Sequence, residues 1–198
     1  MSPVYATGCS ITAWALSWWA AALWSRRTTA RPSSRDQLVH LVPTVIGAGL
    51  VASGAQARMG GRFHPFGEAG LWRLTDSAGW VLFGVCLAGL AFCWWARLTL
   101  GDLWSGTVNR KEGHVVIQSG PYRFVRHPIY TGLILALAAF AVELSTAAAL
   151  IGVVFISFGF WLKARLEERF LSQQLGEAAY ADYRRRTPML VPFWPVRG

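Results

Sequence analysis

The chain has 198 residues, of which 54% are hydrophobic and only 15% are charged. A water-soluble domain of this size carries about a quarter charged residues, so the composition indicates a membrane protein. The formal net charge of +9 is accounted for by loops that face anionic lipid headgroups, which argues against a nucleic-acid partner. Nothing in the pattern indicates an obligate protein partner.

Five apolar segments approach the roughly 20 residues that a transmembrane helix needs. Only a short turn, Glu143 to Thr146, separates the last two, which predicts an antiparallel hairpin with contact along its length. Alanine-rich stretches in both helices allow their backbones to approach closely. The sequence therefore predicts an all-α fold with about five membrane-spanning helices, at residues 5–24, 38–57, 77–98, 128–143 and 146–162.

The basic residues are distributed unequally among the connecting segments. Of the 19 Lys and Arg residues, 16 lie between the first two helices, from the end of the third helix to the start of the fourth, or after the fifth. The positive-inside rule places these segments in the cytoplasm. We therefore expect an external N-terminus, a cytoplasmic C-terminus, and a first helix that is retained rather than cleaved as a signal peptide.

The residues best suited to chemistry lie at the start of the fourth predicted helix, in Gly120-Pro-Tyr-Arg-Phe-Val-Arg-His-Pro-Ile-Tyr-Thr-Gly132. Proline is favoured in the first turn of a helix, so Pro128 places His127 near the N-cap. The free backbone N–H groups of that turn suit a carboxylate. Because of the hairpin, this turn should lie near the polar end of the fifth helix, which carries Lys163, Glu167 and Glu168.

Short elements are predicted on either side of these motifs. Residues 114–117 are expected to be extended, and residues 119–121 to form a turn. Apolar residues at helical spacing predict that the fifth helix continues beyond the bilayer as an amphipathic segment. Gly176 should end or bend it, and Tyr180 and Tyr183 lie one turn apart on a further short helix.

Other polar residues are interpreted as structural. Arg123 and Arg126, taken alone, would be interfacial anchors, and His40, His64 and Trp72 have no evident set of partners. The three cysteines lie within predicted helices without a CxxC pattern. They are interpreted as packing residues, and neither a metal site nor a disulfide framework is predicted. The cysteines are Cys9, Cys86 and Cys93.

Two motifs together resemble a known family. The pattern Gly120-Pro-Tyr-x-x-Val-Arg-His-Pro-x-Tyr-x-Gly132 is followed about 35 residues later by Glu167-Glu168-x-x-Leu171 and then by a tail with Tyr and Pro. Over about residues 95–193 the chain resembles the isoprenylcysteine carboxyl methyltransferase family. The resemblance implies an integral-membrane enzyme that uses S-adenosyl-L-methionine without a Rossmann domain. We expect a single domain, with three helices in residues 1–100 and the cofactor-binding catalytic part in residues 101–198.

The same resemblance implies the residues of the site. The cofactor pocket would be formed by His114, Val115, Val116, Ile117, Tyr122, His127, Pro128, Ile129, Tyr130 and Glu167. Lys163 stands where the better-known members have an arginine that contacts the substrate, and Arg165 could compensate. Lysine keeps the positive charge but lacks the planar guanidinium fork that suits a carboxylate. Lys163 and Arg165 are therefore assigned to substrate positioning.

The expected acceptor is an isoprenylcysteine-like carboxylate whose apolar tail enters from the bilayer. A carboxylate is ionised at neutral pH, so its methylation needs no general base. A phospholipid amine would first have to lose a proton to Glu167, Glu168 or His127, and thiols and free isoprenoid acids are further alternatives. Two rival functions are an NADPH-dependent sterol or enoyl reductase, whose similar motif has asparagine where Ile129 stands, and a non-enzymatic membrane scaffold.

Overall fold

The structure, a computed structural model, describes residues 1–21, 28–30, 33–59, 70–104, 110–111, 117–175 and 177–195. In chain order its elements are α1 (Pro3–Ala21), β1 (Thr28–Ala30), α2 (Ser34–Arg58), α3 (Asp76–Leu100), β2 (Arg110–Lys111), α4 (Pro128–Leu144), α5 (Ala147–Leu175) and α6 (Glu177–Arg186). Two 3₁₀ turns, Gly101–Leu103 and Gly120–Arg123, lie between α3 and α4. The described residues are largely helical, as predicted. The all-α prediction missed the short antiparallel pairing of β1 with β2.

The helix starts follow from capping residues in the sequence. At the start of α2, the side-chain oxygen of Ser33 accepts a hydrogen bond from the backbone N–H of Asp36 at 3.2 Å. Thr75 caps α3 in the same way, at 3.3 Å. Such bonds satisfy backbone donors that the first turn leaves unpaired. His127 occupies the N-cap position of α4 and Pro128 lies in its first turn, as expected.

Among the described residues, three helices are long and apolar enough to cross a membrane: Arg35–Arg58, Asp76–Leu103 and Ala147–Gln173. They correspond to the second, third and fifth predicted spans, which supports an integral membrane protein. The apolar α4 has 17 residues. At the usual helical rise it extends about 26 Å, less than a bilayer's hydrocarbon core. α1 has 19 residues, but its Ser, Thr and Trp residues make it less apolar. The count of five spans therefore stays a prediction.

The closest helix contacts are between α2 and α5 and between α3 and α4. A Cβ atom placed on Gly152 would lie 2.6 Å from the carbonyl oxygen of Gly47, and one placed on Gly89 would lie 2.6 Å from that of Gly132. Only glycine allows backbones to approach so closely. The predicted hairpin of α4 and α5 is present, but the expectation of contact along its length overstated its packing. The glycine contacts direct α4 toward α3 and α5 toward α2.

The helix directions give the bundle two ends. The Tyr5 hydroxyl, near the start of α1, donates a hydrogen bond to the carbonyl of Met59, just after α2, at 3.0 Å. At the opposite end, the Arg97 guanidinium donates to the carbonyl of Ala21, the last residue of α1, at 2.8 Å. The turn between α4 and α5 lies at the first end, which we call the turn end. The start of α4 and the polar part of α5 lie at the second, which we call the motif end.

Candidate active site

The chain after α6 folds back onto the start of α4. The backbone N–H groups of Arg126 and His127 donate to the carbonyls of Pro188 and Met189, at 2.9 and 3.1 Å respectively. Pro188, in the tail that follows α6, therefore contacts the motif directly. These backbone bonds set the directions in which the Arg126 and His127 side chains leave the turn.

Arg126 and Glu168 form a buried ion pair. Nε of Arg126 donates to one carboxylate oxygen at 2.7 Å and Nη2 donates to the other at 3.3 Å, a bidentate arrangement. The side chains are only 7% and 5% exposed. Nη1 donates to the backbone carbonyls of Arg184 and Thr187. The interpretation of Arg126 as an interfacial anchor is therefore wrong, because its guanidinium joins α4, α5 and the end of α6.

His127 lies between the two glutamates of α5. Its Nε2 is 3.1 Å from Oε1 of Glu168, and its Nδ1 is 3.3 Å from Oε2 of Glu167. The Tyr130 hydroxyl donates to Oε1 of Glu167 at 2.7 Å. The predicted meeting of the start of α4 with the end of α5 is confirmed by these contacts. Both oxygens of Glu167 are thus held, yet its side chain remains 20% exposed, against 5% for Glu168.

The two carboxylates determine how readily His127 holds a proton. Burial alone lowers the pKa of a histidine, because it disfavours the charged ring. Here the hydrogen bonds and charges of Glu167 and Glu168 outweigh burial and raise the pKa of His127 above its usual 6.5. A protonated imidazole donates from both nitrogens and can satisfy both carboxylates together. His127 is therefore better suited to orienting the glutamates than to accepting a proton.

Aromatic rings and an ammonium group lie beside this cluster. The rings of His127 and Tyr130 stack with centroids 5.5 Å apart, and those of Tyr130 and Phe160 with centroids 5.1 Å apart. Nζ of Lys163 is 5.4 Å from the centroid of the Tyr130 ring, within the range of a cation–π contact. Lys163 is therefore at the motif end, where the sequence predicted it.

Two tyrosines connect the motif to the C-terminal part of the chain. The Tyr183 hydroxyl on α6 donates to the backbone carbonyl of Tyr122 at 2.6 Å. Burial raises the pKa of Tyr122, helped by the negative charge of Glu167. Burial also raises the pKa of Tyr183. Both phenols therefore remain protonated, and Tyr183 acts as a donor that holds α6 against the turn before α4.

The remaining residues of the expected cofactor pocket are placed unevenly. Pro128 is buried, Ile129 and Ile117 are half-buried, and the carbonyl of Ile129 accepts a hydrogen bond from Sγ of Cys93 on α3 at 3.3 Å. The other members of that pocket, residues 114–116, lie outside the described residues, as does Gly176 with its predicted bend.

Arg165 does not join the cluster. It is exposed, and its guanidinium carbon lies 4.8 Å from the centroid of the Trp161 ring on the preceding turn of α5. Residues two positions apart in an α-helix are separated by about 200° around the helix axis. The side chains of Lys163 and Arg165 therefore leave α5 in nearly opposite directions. Of the two expected positioning residues, only Lys163 is beside Tyr130.

Sequence reasoning missed the roles of Arg126 and Tyr183 and the location of His40. A signal for Arg126 was available, since Arg126-His127 and Glu167-Glu168 are adjacent pairs of complementary charge. His40 is buried on α2, and the charges of Lys163 and Glu167 act on its ring. Its placement depends on how α2 aligns with α5, which a single sequence does not indicate.

A family comparison matches the part of the chain that holds this site. The model of the isoprenylcysteine carboxyl methyltransferase family matches residues 80–173. The matched segment begins in α3 and ends in α5, so it contains the Arg-His-Pro turn and both glutamates. The tail that follows, which also resembled the family, lies beyond the match.

Individual relatives carry three different names. Methanethiol S-methyltransferase 2 of Bradyrhizobium diazoefficiens is 33% identical over 131 residues, covering 62% of this chain and 49% of that protein. The cobalt-zinc-cadmium resistance protein CzcN of Cupriavidus metallidurans is 31% identical over 97 residues, covering 48% and 44%. Protein-S-isoprenylcysteine O-methyltransferase B of Arabidopsis thaliana is 30% identical over 87 residues, covering 43% and 44%.

These alignments span just under half the length of each relative. The matched family and two of the three relatives named above carry methyltransferase in their names. Residues 80–173, just under half of the chain, match the isoprenylcysteine carboxyl methyltransferase family and contain the paired motifs of the motif end.

Proposed function

We propose that this protein transfers a methyl group from S-adenosyl-L-methionine to an apolar or lipidic acceptor at the motif end. The observation that carries the proposal is the arrangement of Glu167. His127 and Tyr130 hold its two oxygens, yet its side chain keeps a fifth of its surface exposed. A carboxylate oriented in this way attracts a cationic ligand. Enzymes of the matched family generally use S-adenosyl-L-methionine.

The residues present suit that cofactor chemically. Its sulfonium and ammonium groups are cations, which suit Glu167 and the faces of the stacked rings. Its carboxylate suits the unpaired N–H groups at the start of α4. Among the described residues, the proposed cofactor-binding set is Ile117, Tyr122, His127, Pro128, Ile129, Tyr130 and Glu167, and residues 114–116 would complete it.

The chain's own contribution is alignment and exclusion of water. When bound, S-adenosyl-L-methionine supplies an electrophilic methyl group on sulfur. The Arg126–Glu168 pair fixes His127, and His127 with Tyr130 then fixes Glu167. Alignment of this kind can lower a barrier by about 7–11 kcal/mol. An ionised carboxylate acceptor would need no more from the protein, whereas an acceptor that still carries a proton would need a base.

Two acceptor classes are supported by different observations. An isoprenylcysteine-like carboxylate is supported by the family match and by the Arabidopsis relative's name, with Lys163 as its counter-charge. A thiol is supported by the Bradyrhizobium relative, which is named as a methanethiol S-methyltransferase. Lys163 also suits one sulfur atom, because an ammonium is a compact point charge without a bidentate fork. Arg165 contacts Trp161 instead, which leaves Lys163 as the proposed positioning residue.

We place the motif end on the cytoplasmic side of the membrane. The basic segments that follow α1, α3 and α5 all leave the bundle at that end, which the positive-inside rule assigns to the cytoplasm. The N-terminus would then be outside. In this orientation the cofactor enters from the cytosol and the acceptor enters from the lipid, and both reach one domain whose catalytic part is residues 101–198.

The direct test is ligand binding to detergent-purified wild-type protein. We expect calorimetry to show saturable binding of S-adenosylhomocysteine and none of NADPH. Binding of NADPH alone would contradict the proposal and favour the reductase. Binding of neither ligand by folded protein would favour the non-enzymatic scaffold.

A further inference from the structure

A histidine outside the family-matched segment lies at the motif end. His40, in the second turn of α2, is only 9% exposed. Its Nδ1 is buried and makes no hydrogen bond of normal geometry with the residues that the structure describes, although the backbone of Asp36 also acts on the ring. Buried polar atoms are almost always paired, so an unpaired imidazole nitrogen beside a candidate active site suggests that a bound molecule completes its contacts.

The alignment of α2 with α5 brings the His40 side chain toward the site. A Cβ atom placed on Gly159 would lie 3.0 Å from the carbonyl oxygen of His40, so the helices touch there. Helical side chains lean toward the N-terminus of their own helix. Because the helices are antiparallel, that direction leads along α5 toward Lys163 and Glu167, whose charges act on the His40 ring. Asp36, one turn earlier on α2, is exposed.

We infer that His40 accepts the proton of a thiol, and that the methyl acceptor of this site is an apolar thiol. The inference rests on the proposed methyl transfer. A carboxylate acceptor is already ionised and has no need of a base, and an ammonium acceptor would be repelled by Lys163. A thiol with the cysteine pKa of about 8.5 is mostly protonated at neutral pH, and an alkanethiol, a weaker acid, is more so. It therefore benefits both from a proton acceptor and from a neighbouring cation.

His40 and Lys163 have complementary roles in this step. The S–H bond breaks, its proton passes to a ring nitrogen of His40, and the electron pair stays on sulfur beside the Lys163 ammonium. That sulfur forms a new bond to the methyl carbon. The old methyl–sulfonium bond breaks, and its electron pair leaves on S-adenosylhomocysteine. His40 then releases the proton to solvent, so the products are a methyl thioether, S-adenosylhomocysteine and a proton.

The surface around His40 indicates that the thiol is apolar. Neighbouring side chains on α2 are 47–58% exposed and entirely aliphatic: Leu38, Val39, Leu41 and Val42. In the proposed topology this surface faces lipid, so a substrate that approaches His40 along α2 crosses an apolar environment. A hydrocarbon chain ending in a thiol meets both requirements.

The kinetic test uses the detergent-purified full chain with 1-octanethiol and octanoate as acceptors of equal chain length. His40→Gln keeps a polar side chain but accepts no proton at neutral pH. We expect wild type to methylate octanethiol and His40→Gln to be about 100-fold slower at pH 7. The difference should shrink as pH rises toward ionisation of the free thiol, because the substrate then supplies its own thiolate. Val45→Thr, a nearly isosteric change at an exposed position further along α2, is the control and should keep the wild-type rate.

A second readout does not depend on turnover. The chain has four histidines, so nitrogen-isotope labelling of the imidazole rings gives few NMR signals, and His40→Gln identifies one of them. Adding 1-octanethiol without a methyl donor should shift the His40 signal. Unchanged binding of S-adenosylhomocysteine shows that His40→Gln is folded, and His40→Asn serves as a second variant if it is not.

The outcomes separate this inference from the function on which it rests. Absence of S-adenosylhomocysteine binding in wild type overturns both. The role of His40 alone is overturned if wild type methylates octanoate and not octanethiol, or if folded His40→Gln matches wild type at pH 7. It is also overturned if octanethiol leaves the His40 signal unchanged.

Discussion

The two ends of the bundle differ in whether a buried carboxyl group has an ionic partner. At the motif end, the Glu168 carboxylate contacts both Arg126 and His127. At the turn end, Glu143 is 4% exposed and has no ionic partner among the described residues, and the polar group that acts on its carboxyl is the Thr7 hydroxyl. Charged groups in apolar surroundings are costly unless they are paired. The charges at the motif end therefore depend on one another, whereas Glu143 can be replaced without changing a second charged residue.

The turn end is held mainly by contacts with the backbone. Ser145 adopts a left-handed conformation with φ of 55° after α4. Its hydroxyl donates to the carbonyl of Trp72 at 2.7 Å, and the indole N–H of Trp72 donates to the carbonyl of Val142 at 3.2 Å. The interpretation of Trp72 as structural is confirmed by these contacts. Stability at this end should therefore not require the Glu143 carboxylate.

The largest expected effect comes from breaking the buried ion pair at the motif end. Glu168→Gln leaves the Arg126 guanidinium buried without a counter-charge and also removes the negative charge beside His127. Loss of one partner of a buried pair typically costs about 3–5 kcal/mol. Thermal or denaturant unfolding in detergent should show a loss of that size.

A double variant sharpens this result. Arg126→Met combined with Glu168→Met removes both charges and should cost less than Glu168→Gln alone, because no buried charge remains unpaired. Equal stability of Glu168→Gln and wild type would contradict the view that the motif-end charges act as a coupled unit.

A smaller effect on the stability of the fold is expected when the pH is changed. The pKa of His127 is raised in the folded state, so the stability that its proton contributes is fully present below about pH 6.5, the usual histidine value. That contribution is lost as pH rises through the raised pKa. The melting temperature of wild type minus that of His127→Gln should therefore fall with pH above that point. A difference that grows with pH would contradict this assignment.

The smallest effect, and one of opposite sign, is expected at the turn end. Glu143→Leu replaces a buried carboxyl that has no ionic partner among the described residues with an apolar side chain, which should raise the free energy of unfolding by about 1 kcal/mol. The measurement is the melting temperature in detergent. A lower melting temperature would show that the contact of Glu143 with Thr7 stabilises this end and would remove the contrast between the ends.

Much of the motif end could be predicted because short-range features of the chain determine it. A short turn after Glu143 forces α5 to return along α4, so the polar start of one helix must meet the polar end of the other. The N-cap position of His127 followed from Pro128 alone. The contact of His127 with Glu167 was predicted on this basis and is confirmed.

The parts that could not be predicted depend on contacts between distant segments. The close approach of Gly47 to Gly152 sets the alignment of α2 with α5, and this alignment places His40 near Lys163. Periodicity within either helix carries no information on that alignment. The buried state of Arg126 likewise depends on the return of the chain after α6, since an arginine near a membrane interface is more often an anchor.

Binding of a cofactor at the motif end is tested most directly by calorimetry on one variant from each end. Glu167→Gln and Glu143→Gln make the same chemical change at the two ends. We expect Glu167→Gln to weaken S-adenosylhomocysteine binding at least tenfold, about 1.4 kcal/mol, and Glu143→Gln to leave it unchanged. Wild-type affinity in Glu167→Gln, or equal losses in both variants, would show that the cofactor does not bind at the motif end.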